Sequence, residues 1–264
     1  MLKRCLTLFP IFFILTSALM MTASARSDET GFLDRTVRSG GKTYRYQVYV
    51  PADWTKRRKW PVILFLHGAG ERGEDGVIQT EVGIGTAIRR HNDRFPCIVV
   101  FPQCRKGVWW NDPEMEQQAL QALSDAMREF KGDSARVTLT GISMGGYGTW
   151  HLGAKLPGKF AALAPVCGGV RLPARVPPPP GFVEPADPYA TAARAIGKTP
   201  VWAFHGDADN AVPVAESRSL VAALKASGGN VQYTEYAGVG HNSWDRAYAD
   251  KEFIAWLLKA GVRG

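Results

Sequence analysis

Cysteine is scarce in this chain, with four in 264 residues. Cys5 lies in the leader-like start, which leaves Cys97, Cys104 and Cys167, an odd number that cannot all pair. Cys97 and Cys104 flank one predicted strand, and seven extended residues span roughly 23 Å, too far for a bridge unless the chain folds back. No obligatory disulfide scaffold is expected. Neither the cysteines nor the histidines fall at metal-ligand spacing, so no metal and no cofactor is expected. Internal repeats are absent, and no large lid or propeller domain is present. No stretch interleaves aromatic with basic residues, which argues against a nucleic-acid partner despite a formal net charge of +8. The local basic run Lys56-Arg57-Arg58-Lys59 reads as a solvated loop, or as a contact to an anionic polymer or envelope.

The apolar run Leu6 to Met21, broken by Pro10, is short for a membrane span. Lys3 and Arg4 precede it, and Ala23-Ser24-Ala25 follows with the small residues that signal peptidase reads. Residues 1–25 are therefore read as a signal peptide cleaved after Ala25, with a secreted or periplasmic product and no stable membrane anchor. The remainder, 26–264, is expected to be one domain, since α/β folds of this length are commonly single.

Alternation over Phe32–Val37 and Thr43–Val50, around Ser39-Gly40-Gly41, predicts an antiparallel hairpin. Continuous apolar runs at 62–66 and 97–101 read as buried strands, the second stopped by Pro102. A helix is expected over 81–91. A clearer one starts at Asp112 as cap with Pro113 in the first turn. It carries Met115, Ala119, Leu120, Leu123, Met127 and Phe130 on one face and is closed by Gly132. Strands follow at 136–142, 160–167, 201–204 and 231–236, and helices after 143, after 213 and over about 244–258. Between them, residues 168–199 contain Pro177 to Pro180 and read as a surface connection or a small cap, with one short helix near 188–196. Strands alternating with helices predict an α/β fold, a mostly parallel sheet with helices on both faces.

The stretch Gly141-Ile142-Ser143-Met144-Gly145-Gly146 joins the strand at 136–142 directly to a helix. That is a nucleophile elbow, a turn so sharp that Ser143 is presented at the strand end. Gly141 and Gly145 leave room where the two backbones meet. A serine hydroxyl needs a base to take its proton during attack. His241, on a glycine-flanked loop after the last strand, is the candidate. His67 and His205 end strands and read as structural, while His91 and His151 lie in helical segments away from the strand ends.

Together with His205-Gly206-Asp207-Ala208-Asp209 and Gly240-His241, the elbow resembles the α/β-hydrolase superfamily across nearly all of the chain after residue 25. The segments Leu66 to Gly73, Phe101-Pro102-Gln103-Cys104 and His241-Asn242-Ser243-Trp244 are similar to a secreted carboxylesterase-like branch. That branch is related to the prolyl-oligopeptidase-like, feruloyl-esterase and polyhydroxybutyrate-depolymerase groups. The resemblance implies Ser143, Asp209 and His241 as a catalytic triad. In the superfamily the acid stands three residues after the glycine of His-Gly, which selects Asp209 over Asp207. It also implies an oxyanion hole made by the backbone N–H groups of Ala69 and Met144.

Glu71 and Arg72 either pair to brace the loop or form a solvated ion pair. Trp109, Trp110 and Trp244 either line a substrate pocket or pack under loops. The expected activity is hydrolysis of small-molecule or terminal carboxylic esters. A peptidase, polyester depolymerase or acyltransferase on the same fold, and a silent binding protein, are the alternatives. Oligomeric state is not legible.

Overall fold

The computed structural model describes residues 29–173, 176, 178 and 183–261. The expected signal peptide and cleavage site, with Pro177, Pro179 and Pro180, lie outside the described residues. Eight strands form one sheet: β1 (Gly31–Ser39), β2 (Lys42–Val50), β3 (Trp60–Leu66), β4 (Ile98–Pro102), β5 (Gly132–Ile142), β6 (Ala162–Val166), β7 (Val201–Gly206) and β8 (Val231–Tyr236). Their order across the sheet is β1-β2-β4-β3-β5-β6-β7-β8. β1, β2 and β4 pair antiparallel, and every pairing from β4 through β3 to β8 is parallel. The hairpin turns at Gly40 and Gly41, both at positive φ, as a two-residue turn between twisted strands requires.

The helices are α1 (Ile84–Arg90), α2 (Pro113–Glu129), α3 (Met144–Lys155), α4 (Pro188–Ile196), α5 (Ala215–Ala226), α6 (Trp244–Ala249) and α7 (Lys251–Lys259). Alternation in the strands feeds two cores. In β3, Val62, Leu64 and Leu66 join one core while Ile63 and Phe65 join the other; in β4, Ile98 and Val100 oppose Val99 and Phe101 in the same way. α2 and α3 pack on the first face, α1, α6 and α7 on the second. Among the described residues no helix is long and apolar enough to cross a membrane.

Several boundaries differ from those expected. Asp112 does cap α2, accepting from the N–H groups of Glu114 at 2.9 Å and Met115 at 3.3 Å. Gly132 does not close that helix, however. Lys131 makes the left-handed turn at φ 60°, and Gly132 begins β5, where a Cβ would stand 2.7 Å from Val62 Cγ2. The helix expected over 81–91 shortens to α1 behind a 3-10 turn at Ile78–Thr80, because Gly83 turns the chain at φ 61°. Pro102 is the last residue of β4, opposite Tyr46 of β2, and does not stop the strand before it.

The single final helix expected over 244–258 is two. Asp250 breaks it and caps α7, accepting from the N–H groups of Glu252 at 2.8 Å and Phe253 at 3.5 Å. Asp250→Ala is expected to cost about 1 kcal/mol. In thermal melts that lowers Tm by about 2–4 °C for a chain of this size. An unchanged Tm would show that packing alone positions α7.

Candidate active site

β3 and β5 lie side by side, with Leu66 opposite Gly141, so their carboxyl-end loops open together. The elbow is tight. A Cβ on Gly145 would stand 1.8 Å from the carbonyl oxygen of Leu66, and one on Gly141 would stand 2.4 Å from that of Gly145. Only glycine lets β3, β5 and α3 approach so closely. Ser143 between them holds φ 51° and ψ −116°, a backbone conformation costing an L-residue about 1–3 kcal/mol. Its N–H is fixed to the carbonyl of Val166 at 3.0 Å.

The loops after β7 and β8 bring two more polar side chains to Ser143. The Ser143 hydroxyl donates to His241 Nε2 at 2.8 Å, and His241 Nδ1–H donates to Asp209 Oδ2 at 2.7 Å. Asp209 has a fully shielded side chain, while that of His241 is 28 % exposed. Burial alone would push the Asp209 carboxyl up. Hydrogen bonds from His205, His241 and the N–H groups of Val212 and Ala211 outweigh it and hold the group well below the ordinary carboxylate range. Asp207 faces elsewhere, its carboxylate accepting from the N–H of Gly238 at 2.7 Å.

The spacing of Asp209 from Gly206 says nothing of its second imidazole. His205 is buried, and its Nε2 lies 3.2 Å from Asp209 Oδ2 and 3.1 Å from the carbonyl of Val212. Both neighbours are acceptors, so Nε2 carries the proton. Nδ1 then accepts from the Ser217 hydroxyl at 2.7 Å. His205 thus ends a strand and also holds the carboxylate that holds His241; its position four residues before Asp209 is the available signal.

Cys167, at φ 41° behind Ser143, has no such signal. Its sulfur, an Asp209 oxygen and a His241 nitrogen all lie within 4.8 Å of one another. Those are donor types of a metal site. The thiol, though, is pushed up to about 12, chiefly by burial, and the other two groups are bonded to each other.

Ala69 opens a short 3-10 turn, Ala69–Glu71, and Met144 opens α3. The first N–H groups of a helical turn have no partner within it. His67 secures this loop: Nδ1–H donates to the carbonyl of Gly68 at 2.6 Å and Nε2 accepts from the N–H of Cys104 at 2.9 Å. Burial lowers its imidazole to about 4, which keeps that tautomer neutral. Glu71 and Arg72 do not pair. Arg72 donates to the carbonyls of Ala69 and Val108, while the Glu71 carboxylate folds back over Gly68, within 3.0 Å of where a Cβ there would sit.

The tryptophans separate. Trp109 and Trp110 border a cavity of about 640 Å³ that begins at Met144. Trp110 also braces the loop after β3, its indole N–H donating to the carbonyl of His67 at 2.9 Å. Trp244 does not line that cavity; its ring stands edge-on to His241, 5.4 Å between centroids. His151, which helical placement alone puts away from the strand ends, does line the cavity and meets Glu116 of α2.

Known proteins share this architecture. A thermostable esterase structure superposes with a TM-score of 0.70 at 34% identity, over 86% of this chain and 62% of that one. The feruloyl esterase module of Clostridium thermocellum, solved with sinapinate, gives a TM-score of 0.67 at 19% identity, over 88% and 89% of the two chains, a likeness of fold. In sequence, an uncharacterized secreted protein of Arthroderma benhamiae is 27% identical over 225 residues. That alignment covers 79% of this chain and only 24% of the relative, so the chain spans about a quarter of its length. Residues 92–251, a stretch containing Ser143, Asp209 and His241, match the dienelactone hydrolase family. The chain belongs to the dienelactone hydrolase family of α/β-hydrolases.

Proposed function

We propose that the protein is a secreted serine hydrolase that cleaves carboxylic esters through an acyl-enzyme. The supporting observation is the unbroken relay from Ser143 Oγ to His241 Nε2 at 2.8 Å and from His241 Nδ1 to Asp209 at 2.7 Å. In this reading Ser143 attacks the ester carbonyl while His241 takes its proton. The imidazolium so formed is stabilised by Asp209, which stays ionised because four donors hold it. Charge on the former carbonyl oxygen is met by the N–H groups of Ala69 and Met144, each worth about 3 kcal/mol in the transition state. His241 then protonates the leaving alcohol, and water repeats the sequence to release the acid.

Residues 1–25 act as the signal peptide and 26–264 as one hydrolase domain. The basic start and the Ala23-Ser24-Ala25 site support secretion, as does the secreted relative of Arthroderma benhamiae. The test is a fluorophosphonate probe with peptide mapping, run beside turnover of p-nitrophenyl acetate and a matched anilide. Labelling is expected at Ser143 and nowhere else, with ester turnover far exceeding amide turnover. Folded protein that neither labels nor turns over ester would leave a binding protein as the better reading.

A further inference from the structure

The cavity beside Met144 runs along one face of α3. Met144, Tyr147, Gly148, His151 and Lys155 all border it, the spacing of a single helical face. Opposite stand Thr191, Ala192 and Ala195 of α4. Near the elbow the wall is apolar and aromatic, with Trp109 edge-on to Tyr147 at 5.6 Å. At the far end it changes character. Glu116 of α2, only 8 % exposed, accepts from His151 Nε2 through one oxygen and from Lys155 Nζ through the other, both at 2.5 Å.

Lys155 has donor capacity to spare at this end. Both Glu116 oxygens are engaged, whereas an ammonium has three N–H groups and Glu116 takes one. The Lys155 side chain is half-exposed and borders the cavity. The Arg171 guanidinium stands at the rim, 3.4 Å from Glu184. An anionic ligand end group fits the spare N–H groups of Lys155, with the Arg171 guanidinium at the rim.

We propose that this cavity receives an elongated apolar acyl or alcohol chain ending in a carboxylate, which Lys155 binds; the inference rests on the ester-hydrolase reading above. Helix geometry sets the length. Met144 to Lys155 is about 16 Å along the axis. Lysine leans back toward the helix N-terminus, which brings its ammonium to about 10–12 Å from the elbow. An extended chain advances about 1.2 Å per bond, so about eight to ten bonds separate the scissile ester from the carboxylate.

The experiment compares kcat/KM for two matched series. One is p-nitrophenyl monoesters of dicarboxylic acids against p-nitrophenyl esters of monocarboxylic acids of equal length. The other is acetates of ω-hydroxy acids against acetates of the alkanols. In one series the carboxylate-ended ester should win by at least about tenfold at eight to ten bonds and not at three or four. Lys155→Met should abolish that ratio, mainly through KM, and Lys155→Arg should retain most of it. A ratio near one at every length in both series overturns the proposal, as does a preference that survives Lys155→Met. Short p-nitrophenyl acetate separates the two claims. If it is hydrolysed while the ratio is flat, only the carboxylate site fails; if neither it nor any longer ester is hydrolysed by folded protein, both fail.

Discussion

Ser143→Ala and His241→Ala are each expected to lower kcat for p-nitrophenyl acetate by about 10⁶-fold, and the double variant by hardly more. The hydroxyl and imidazole are joined at 2.8 Å, and in the proposed mechanism neither works without the other. Removing the base leaves a hydroxyl too weakly nucleophilic to attack; removing the hydroxyl leaves a base with no proton to take. The N–H groups of Ala69 and Met144 are untouched by either change, so a residual rate about 10³–10⁴ above water should persist. Steady-state kinetics on all three variants check this. Losses that multiplied in the double variant would mean that Ser143 and His241 act separately, and the acyl-enzyme reading would fail.

Stability gives a second readout at the same position. Ser143 sits at φ 51°, a strain of about 1–3 kcal/mol, against roughly 0.5–1 kcal/mol for the added freedom of glycine in the unfolded chain. Ser143→Gly should therefore be inactive yet melt no lower than the wild type. A clear drop in Tm would mean that the elbow is unstrained.

What was legible in the sequence was what local periodicity and short spacings encode. Val62 to Leu66 reads as a buried strand because both faces are apolar, and both faces meet a core. Gly141 and Gly145 read as close-approach positions and are so, with the Leu66 carbonyl 1.8 Å from a Cβ at 145. Asp112 with Pro113 locates a helix start to the residue. Asp250 carries a similar signal, an acid followed by Glu252 and Phe253, but an apolar pattern running through 244–258 masks it.

Contacts between distant segments were not legible. His151 lies 35 residues from Glu116, and no spacing rule joins them; they meet because α2 and α3 cover the same face of the sheet. Periodicity does put Glu116 on the apolar face of α2, three and four residues before Ala119 and Leu120, but nothing local shows that its buried charge meets partners on α3. Cys167 reaches Asp209 and His241 only because β6 ends beside β5 and β7.

Asp209→Asn is the other change of large expected effect, a loss of about 10⁴-fold in kcat with little change in KM. One Asp209 oxygen accepts from the N–H groups of Ala211 at 2.8 Å and Val212 at 2.9 Å, the other from His241 and His205. An asparagine must turn its NH₂ toward one of these pairs, and both pairs are donors. Facing the backbone it leaves two N–H groups opposed; facing the imidazoles it drives the His241 proton to Nε2, where it blocks acceptance from Ser143.

Asp207→Asn should cost little, because that carboxylate serves Gly238 and does not reach His241. His205→Gln falls between the two. It keeps a donor near Asp209 but loses the ring that Ser217 fixes at 2.7 Å, so about a tenfold fall in kcat is expected. The pH–rate profile tells positioning from mere support of the fold. Asp209 stays ionised across the working range and adds no limb of its own. If His205 acts by orienting that carboxylate, His205→Gln should displace the acid limb, whereas a loosened loop would lower the whole profile without moving it. Equal losses in Asp207→Asn and Asp209→Asn would break the assignment, since the geometry gives only Asp209 a bond to His241.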